Sequence, residues 1–367
     1  MKKEIKLFDL TKQYKTISKE INSKIIKVLR DGQYILGPNV NDFEKKFSNK
    51  FSTKYAITCN SGTDSLIFAL KVLDIGAGDE VITSPFTYFS TAEAIVQCGA
   101  KPIFVDIDPL TYNIDAHLIE NAITNKTKAI LPVHIFGQSS DMITIKKIAR
   151  KYRLKIIEDC AQSIGATFKK LYTGTFGDFG CFSFFPTKNL GAIGDAGITI
   201  TPNKKYAEKL KKLRNHGGLL RNEHEMLGYN SRMDEIQAAV LGIKLKYLEI
   251  FNRKRNHIAK LYNSMIQNKF IRLPYKHEDS YHVFHQFTLC VNNREKFIKH
   301  LNKYQVPYGI YYPKPLYKQK ALKNLCSLKK MPITEKVTNQ CISIPIYPEL
   351  ENKSVEYISE IINKYKQ

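Results

Sequence analysis

The chain has 367 residues, 43% of them hydrophobic and 25% charged, and its formal net charge is +23. This length suits one large and one small globular domain. Apolar runs are too short to span a bilayer, and the charged segment 1–6 leads into no apolar stretch, so we expect no membrane insertion, no signal peptide and a cytoplasmic location. The seven cysteines include no CxxC pair, which favours reduced core thiols over disulfides or a metal site.

The excess of basic residues leaves one alternative open, because a strongly basic chain can bind nucleic acid. The lysines, however, lie along the whole sequence, with dense tracts at 144–155, 203–214 and 317–330 that have apolar residues between them. This spacing is typical of exposed helix faces, and no zinc-finger or aromatic-glycine RNA motif accompanies it. We therefore expect no nucleic-acid partner, although the positive potential would help to attract a polyanionic ligand.

From about residue 54, short apolar strands alternate with amphipathic helices, which predicts an α/β layered domain over residues 1–249. The pattern then changes to that of a smaller α+β domain over residues 250–367. Strands are predicted at 55–59, 80–84, 101–105, 129–133, 155–158, 180–183 and 196–201, with a β-rich patch at 282–291. Helices are predicted at 64–73, 91–98, 115–122, 142–152, 205–216, 231–266, 294–304 and 354–365.

The first motif with chemical content is Asn-Ser-Gly-Thr-Asp-Ser at 60–65, which follows a strand and opens a helix. A helix start offers free backbone N–H groups and the positive end of the helix dipole, so it can hold a phosphate. Gly62 would let the backbone approach closely, and Ser61 and Thr63 add hydroxyl donors. An ordinary helix N-cap explains the same residues.

Two acids, Glu158 and Asp159, end the next informative strand. Ligands of open α/β sheets bind at the carboxyl ends of the strands. A carboxylate there can pair with a cationic ring nitrogen, which pyridoxal phosphate (PLP) requires to act as an electron sink. Metal ligation and a helix cap are the alternatives, but no histidine pair accompanies the acids.

Lys188 follows the aromatic segment 182–185, and Gly191, Gly194 and Gly197 come soon after it. A lysine amine is a good nucleophile when burial or a nearby cation lowers its pKa. A surface lysine on a loop is the alternative. Together, the helix start, the acid and the lysine occur in an order that meets the three needs of PLP: its phosphate, its ring nitrogen and its aldehyde.

With these motifs the sequence resembles the DegT-type nucleotide-sugar aminotransferases, which have the type I PLP (aspartate-aminotransferase) fold: a large, mostly parallel mixed sheet flanked by helices, and a smaller C-terminal α+β domain. The resemblance covers nearly the whole chain. Its motifs are GQYILGP (32–38), SGTDSL (61–66), GDEVI (78–82), PFTY (85–88), VHIFGQ (133–138), EDCAQS (158–163), SFFPTK (183–188), HG (216–217) and GYNSRMDEIQAA (228–239).

The resemblance implies catalytic roles for two residues. Lys188 would bind PLP as a Schiff base and later move the proton between cofactor and substrate, and Asp159 would pair with the pyridinium nitrogen. Gln162 would lie near the phenolic oxygen of PLP, and Tyr88 would stack on its ring. The phosphate would be held by Gly62, Thr63 and Ser183.

The same resemblance implies a homodimer with shared active sites, because Asn230 stands where the family's neighbouring subunit reaches the phosphate. Candidate substrate contacts are Tyr34, Arg232, Tyr311 and Tyr312. For Arg232 an interface contact or a structural salt bridge is the alternative. Tyr311 and Tyr312 lie in a motif with tyrosines where many relatives show histidines, which leaves the detailed substrate pocket open.

The reaction implied is transfer of the amino group of L-glutamate to a keto-sugar on a nucleotide diphosphate. The lysine at position 188 favours amino transfer over the dehydration catalysed by relatives with histidine there. The favoured acceptor is carbon 3 of a UDP-linked 3-keto (N-acetyl)hexose or its uronic acid, for cell-surface polysaccharide or lipopolysaccharide synthesis. A dTDP-3-keto-6-deoxyhexose, a C4 keto-sugar, and a catalytically silent regulator remain alternatives.

Overall fold

The computed structural model of the chain describes residues 5–220, 222–326 and 329–366. Its α-helices, in chain order, are α1 (Leu10–Asp31), α2 (Pro38–Lys50), α3 (Gly62–Val72), α4 (Ser90–Gln97), α5 (Met142–Tyr152), α6 (Lys204–Leu213), α7 (Glu235–Met265), α8 (Arg294–Lys303), α9 (Pro332–Gln340) and α10 (Asn352–Asn363). Its strands are β1 (Tyr55–Cys59), β2 (Glu80–Thr83), β3 (Lys101–Phe104), β4 (Thr127–Leu131), β5 (Lys155–Asp159), β6 (Thr167–Phe168), β7 (Leu171–Tyr172), β8 (Phe179–Ser183), β9 (Gly197–Thr201), β10 (Ile271–Arg272), β11 (Ser280–Tyr281), β12 (Phe287–Val291) and β13 (Cys341–Ile344).

A seven-stranded mixed sheet in the order β1-β9-β8-β5-β4-β2-β3 forms the centre of the molecule. Strand β9 runs antiparallel to both β1 and β8, whereas the other neighbouring pairs are parallel. Strands β1, β5 and β8 therefore point the same way, and their carboxyl ends meet at one edge. Strand β9 is buried at all five positions, as expected for a sheet covered on both faces.

The helices cover this sheet because their apolar residues recur at helical spacing. Helix α5 shows how the sequence sets its bounds: the Asp141 carboxylate caps the first turn by accepting from the Thr144 N–H at 3.1 Å. Its buried residues Ile145, Ile148 and Ala149 recur three and four positions apart. The prediction of a helix over 142–152 is confirmed to the residue.

The C-terminal part has a core of its own around the antiparallel sheet β10-β12-β13. Helix α7 contributes to two cores: Leu241 and Leu248 pack in a cluster of the large sheet, and Ile258 and Tyr262 pack in the C-terminal cluster. The fold class, an α/β sheet domain of type I PLP enzymes with a smaller α+β part, is confirmed. The proposed boundary between residues 249 and 250 falls inside α7 and stays a prediction.

Each of the seven strands predicted for the large sheet is found, with ends that differ by at most two residues. The helix predicted at 115–122 is wrong: the segment forms two 3-10 turns, Ala116–Leu118 and Glu120–Ala122. Their backbone bonds close over three residues, as from the Leu118 N–H to the Asp115 carbonyl, since so short a stretch gains little from α-helical cooperativity. Helices α1, α2 and α9 were not predicted. In the described ranges, no helix combines the length and apolar character needed to cross a membrane.

Candidate active site

Three polar segments meet at the edge of the large sheet because β1, β5 and β8 end there. The loop after β1 leads into α3 at Gly62, β5 ends at Asp159, and β8 ends at Ser183, five residues before Lys188. All four residues line one cavity of about 710 Å³. A volume of this size suits a small-molecule site. The three motifs singled out in the sequence are therefore brought together.

The start of α3 is built to receive an anion. The Ser61 side chain caps the helix by accepting from the Asp64 N–H at 3.1 Å, so the N-cap interpretation of this motif is also correct. In the described part of the chain, the N–H groups of Gly62 and Thr63 donate no hydrogen bond. A Cβ added to Gly62 would lie 2.6 Å from the Ser183 Cβ, which shows why only glycine fits there. Free N–H groups at a helix start are a phosphate-binding arrangement.

Asp159 presents a carboxylate whose position is fixed by two hydrogen bonds. Its Oδ2 accepts from the Thr91 hydroxyl at 2.8 Å, and its Oδ1 accepts from the Ala161 N–H at 3.1 Å. Burial raises the pKa of Asp159, while these hydrogen bonds and the charge of Lys188 oppose that rise. The residue is 5% exposed. It is thus a preorganised acceptor for a cationic group in the cavity.

Glu158, the neighbouring acid, serves a different purpose because successive strand residues point to opposite sides. Its carboxylate accepts from the N–H groups of Gly174, Phe176 and Gly177 and pairs with His134 Nε2 at 2.9 Å. Since His134 Nδ1 accepts from a backbone N–H, the ring proton lies on Nε2 and donates to Glu158. The acids at this strand end therefore divide into a buried structural anchor and a cavity-facing carboxylate.

Lys188 lies on the loop after β8 and faces the cavity. Burial lowers the pKa of its amine to about 8, and Asp159 acts in the opposite direction. At that pKa a substantial fraction of the amine is neutral near physiological pH, as a nucleophile or general base requires. The alternative of an ordinary surface lysine is thus wrong.

Aromatic residues form the wall beside these groups. Tyr88 lines the cavity and is 62% exposed, so it is no core aromatic. The Gln162 carboxamide donates to the Tyr312 hydroxyl at 2.7 Å and accepts from the Phe136 N–H at 2.8 Å. Burial raises the pKa of Tyr312, which therefore keeps its hydroxyl proton. Tyr311 lines the same wall.

Three of the residues singled out in the sequence lie elsewhere. Tyr34 and Asn230 are exposed, and Arg232 donates to the Asn215 side chain at 3.1 Å. None of the three lines the cavity of this chain. Their neighbour Ser231 has a structural task, because its hydroxyl donates to the Asp64 carboxylate at 2.7 Å and so ties this segment to the first turn of α3.

The cavity also has lining residues that were not selected from the sequence. Thr91, which holds Asp159, sits at the second position of α4 and has no local pattern that marks it. Several others come from distant segments, among them Leu7, Phe8, Arg255, His285 and Gln286. Only their contacts in three dimensions connect them with the motifs.

The residues of the cavity fit PLP on the chemistry of their donor groups. Gly62, Thr63 and Ser183 offer N–H and hydroxyl donors for a phosphate, Asp159 offers a fixed carboxylate for a ring nitrogen, and Lys188 offers an amine for an aldehyde. A cavity with this set of groups at the edge of a mostly parallel mixed sheet defines a PLP-dependent aminotransferase of the type I fold, and PLP is its cofactor.

Comparison with known proteins gives the particular family. The chain belongs to the DegT/DnrJ/EryC1/StrS aminotransferase family, whose model matches residues 15–363. Among solved structures, DesV of S. venezuelae in complex with a ketimine intermediate superposes with a TM-score of 0.96 at 35% identity, over 98% of each chain.

The match covers nearly the whole length of three curated relatives. The dTDP-3-amino-3,6-dideoxy-alpha-D-galactopyranose transaminase of Aneurinibacillus thermoaerophilus is 44% identical, over 98% of this chain and 99% of the relative. The UDP-N-acetyl-3-dehydro-alpha-D-glucosamine 3-aminotransferase of Acidithiobacillus ferrooxidans is 40% identical, over 98% and 97%. A protein of Geobacillus stearothermophilus named as a pleiotropic regulatory protein is 39% identical, over 98% of each chain.

Proposed function

We propose that this aminotransferase transfers the amino group of L-glutamate to carbon 3 of a UDP-linked 3-keto (N-acetyl)hexose or its uronic acid, and that the product serves cell-surface polysaccharide or lipopolysaccharide synthesis. The observation that carries amino transfer is the pair of Lys188 and Asp159 in one cavity, where each influences the pKa of the other. A surface lysine or a structural acid would not combine these features.

Each polar group of the cavity has a task in this proposal. Bound PLP supplies an electron sink for the substrate's α-carbon. The N–H groups of Gly62 and Thr63, with the Ser183 hydroxyl, hold its phosphate, and the Asp159 carboxylate keeps its ring nitrogen protonated. Lys188 would act as the nucleophile toward its aldehyde and, as a free amine, would carry a proton between the substrate carbon and the cofactor carbon.

The names of the relatives support carbon 3 as the site of amination. The UDP-sugar relative is named a 3-aminotransferase, and the dTDP-sugar relative is named for a 3-amino sugar. They differ in the nucleotide, so a dTDP-3-keto-6-deoxyhexose is the second candidate acceptor, and a C4 ketone is less well supported. Leu7 and Phe8 give the cavity an apolar side, which suits a sugar ring face or a base better than a second charge.

A homodimer with shared sites is part of the proposal. Asn230 stays outside the cavity of its own chain and is exposed, as a residue that serves a neighbouring subunit has to be. The same segment exposes apolar side chains, with Leu220 at 66% and Leu227 at 96%. Large exposed apolar side chains on one surface segment are frequent at interaction surfaces. A cytoplasmic location stays a prediction from the sequence.

A regulatory role is the second class of function, since one relative carries a regulatory name. A silent regulator has no need for a half-buried lysine with a lowered pKa in the same cavity as a preorganised carboxylate. These groups are intact here, and they favour catalysis.

The experiment that tests the proposal supplies PLP-loaded enzyme with L-glutamate and a panel of UDP- and dTDP-linked keto-sugars with the ketone at carbon 3 or carbon 4. Product mass shows amination, and NMR of the product identifies the carbon. We expect the UDP-linked 3-keto sugars to be aminated fastest. Faster amination of the dTDP sugars, or of the 4-keto sugars, would replace the acceptor named here. If the enzyme binds the cofactor but aminates none of these sugars, the result would favour a regulatory role.

A further inference from the structure

Two of the residues that line the cavity have unsatisfied polar atoms. In the ranges that the structure describes, the buried side-chain nitrogen and oxygen atoms without a hydrogen-bond partner are Arg255 Nε and Gln286 Oε1. Both residues line the cavity that contains Lys188. Buried polar groups are nearly always paired, so two exceptions in one cavity indicate a ligand that completes them.

Arg255 is a buried cation whose protein acceptors are neutral. Its Nη1 donates to the carbonyl oxygens of Phe284, His285 and Ile346 at 3.1, 3.2 and 2.8 Å. The residue is 5% exposed. Burial lowers the pKa of the guanidinium to about 10, with Glu349 acting in the opposite direction, so the group stays charged at neutral pH. A buried charge is costly unless an opposite charge accompanies it.

His285 lines the same cavity, near enough to both this cation and Lys188 to be affected by their charges. Its pKa is well below the usual value, because of burial first and then the charges of Lys188 and Arg255. The imidazole is therefore neutral. Its Nδ1 donates to Asn189 Oδ1 at 3.2 Å, because the Asn189 amide nitrogen already donates to two other acceptors. The cavity thus contains two cations and a neutral ring, and Asp159 acts on the pKa of Lys188 but is not among the groups that act on Arg255.

We propose that Arg255, assisted by Gln286, is the receptor for a carboxylate of the reactant whose amine or ketone is held at Lys188. A guanidinium matches a carboxylate because its N–H groups form a planar fork. The Nη1 side of the fork is used by the protein and the Nε edge is free. The Gln286 carboxamide can turn either its oxygen or its nitrogen toward the ligand.

The carboxylate has two possible sources within the proposed function, on which this inference rests. It belongs either to the amino-acid donor, which every turnover requires, or to a uronic-acid sugar. The donor is the better fit, because a site that serves both half-reactions needs an anion partner for the donor whichever sugar is accepted. A uronate would make Arg255 a determinant of sugar specificity instead.

The test is calorimetric titration of the PLP-loaded enzyme with ligands that cannot react. Glutarate carries the two carboxylates of glutamate without its amine, and UDP-glucuronate differs from UDP-glucose by a carboxylate on the sugar. If the donor is the source, Arg255→Met binds glutarate at least about tenfold more weakly than the unmodified enzyme. If the sugar is the source, the variant instead loses the preference for UDP-glucuronate over UDP-glucose.

The matched control is Arg253→Met, which removes the same charge from an exposed position of the same helix and should change neither titration. Because Arg255 also links α7 to two loops, Arg255→Met has a risk of misfolding. Gln286→Leu leaves those links in place and should weaken binding in the same titration by a smaller factor. If Arg255→Met does not fold, unchanged binding by Gln286→Leu overturns the proposal.

A kinetic readout separates carboxylate binding from a structural role. Whichever reactant carries the carboxylate, Arg255→Met should raise the KM for that reactant and leave the visible spectrum of the bound cofactor nearly unchanged. The inference is overturned if Arg255→Met and the unmodified enzyme bind all of these ligands equally well. It is also overturned if the unmodified enzyme binds no glutarate and binds the two UDP-sugars with the same affinity. Since these ligands bind without turnover, failure of keto-sugar amination would count against the proposed function alone.

Discussion

The two walls of the cavity differ in how their polar groups are satisfied. At the sheet edge, the protein fixes the Asp159 carboxylate through Thr91 and Ala161 and caps α3 with Ser61, and the backbone N–H groups that are free there in the described chain have positions set by the helix. In the part of the lining that comes from α7 and the residue before β12, Arg255 and Gln286 retain atoms without partners in the described ranges. A cofactor that stays bound needs permanent, preorganised contacts. Two reactants that bind in turn need protein groups that have no partner when neither reactant is bound. This difference supports the proposed division of the cavity into a cofactor side and a substrate side.

The change that should break the sheet-edge wall most severely is Lys188→Ala. It removes both the nucleophile and the general base, so glutamate-dependent turnover should fall by at least about a thousandfold. The variant should also lose the visible absorbance of lysine-bound PLP. Steady-state assays and an absorbance spectrum of the purified protein measure both effects.

Lys205→Ala is the control, since Lys205 is an exposed lysine of α6. Its activity and melting temperature should match those of the unmodified enzyme. Retained turnover in Lys188→Ala would remove the basis of the assignment.

Asp159→Asn should be the next most damaging change. The neutral amide cannot stabilise a protonated ring nitrogen, so the single-turnover rate with glutamate should fall by about a hundredfold, while most of the cofactor stays bound through its phosphate and Lys188. Stopped-flow absorbance measures the rate. Asp178→Asn, a carboxylate that binds the start of β5, should have the unmodified rate. Equal rates in both variants would exclude a role for Asp159 at the ring.

The stability of the cofactor-free protein tests the burial of Lys188. Its pKa is about 8 when folded and about 10.4 when unfolded, so the unfolded chain binds more protons between these values and stability rises with pH across that window. Lys188→Met removes the cost of burying the charge. The variant should be more stable than the cofactor-free enzyme below pH 8, by up to about 3 kcal/mol, and the two should converge above about pH 10.

Urea unfolding of the two proteins from pH 6 to pH 10 gives this comparison. A constant difference across the range would mean that the lysine is not buried in its cationic form, and that its reactivity has another cause.

Thr91→Val should have the smallest effect. The hydroxyl donates to Asp159 and so favours the carboxylate, which lowers the pKa of Asp159. Without it that pKa rises, and the acidic limb of the kcat profile should move upward by about one pH unit. Thr83→Val removes a buried hydroxyl that donates to the Leu131 carbonyl and should leave the profile in place. An unmoved profile in Thr91→Val would make Thr91 a packing residue.

The sequence predicted the sheet well because each strand is a short apolar run between polar turns, and burial on both faces leaves little choice of register. It failed at 115–122, where an amphipathic pattern is too short to decide between α-helix and 3-10 turns. Helices α1 and α2 were missed, although their charged residues alternate with Ile17, Ile21, Phe43 and Phe47, which are buried against α7 and β1.

The cofactor side of the site was accessible from the sequence because each of its groups lies in a contiguous motif at a strand end or helix start. Asp159 and Lys188 could be selected without coordinates, but the different task of Glu158 depended on which way its side chain points. Arg255 and Gln286 belong to no motif: the long separation between them and Lys188 along the chain leaves no local pattern. Cavity residues that come from distant segments in this way can be identified only from the structure.

The most direct test of the central claim is to find which residue is bonded to PLP. Borohydride reduction of the PLP-loaded enzyme makes the bond permanent, and peptide mass analysis then locates the label. The account predicts one labelled peptide, with the modification on Lys188. A label on any other lysine, or a protein that binds PLP and remains unlabelled at Lys188, would contradict it.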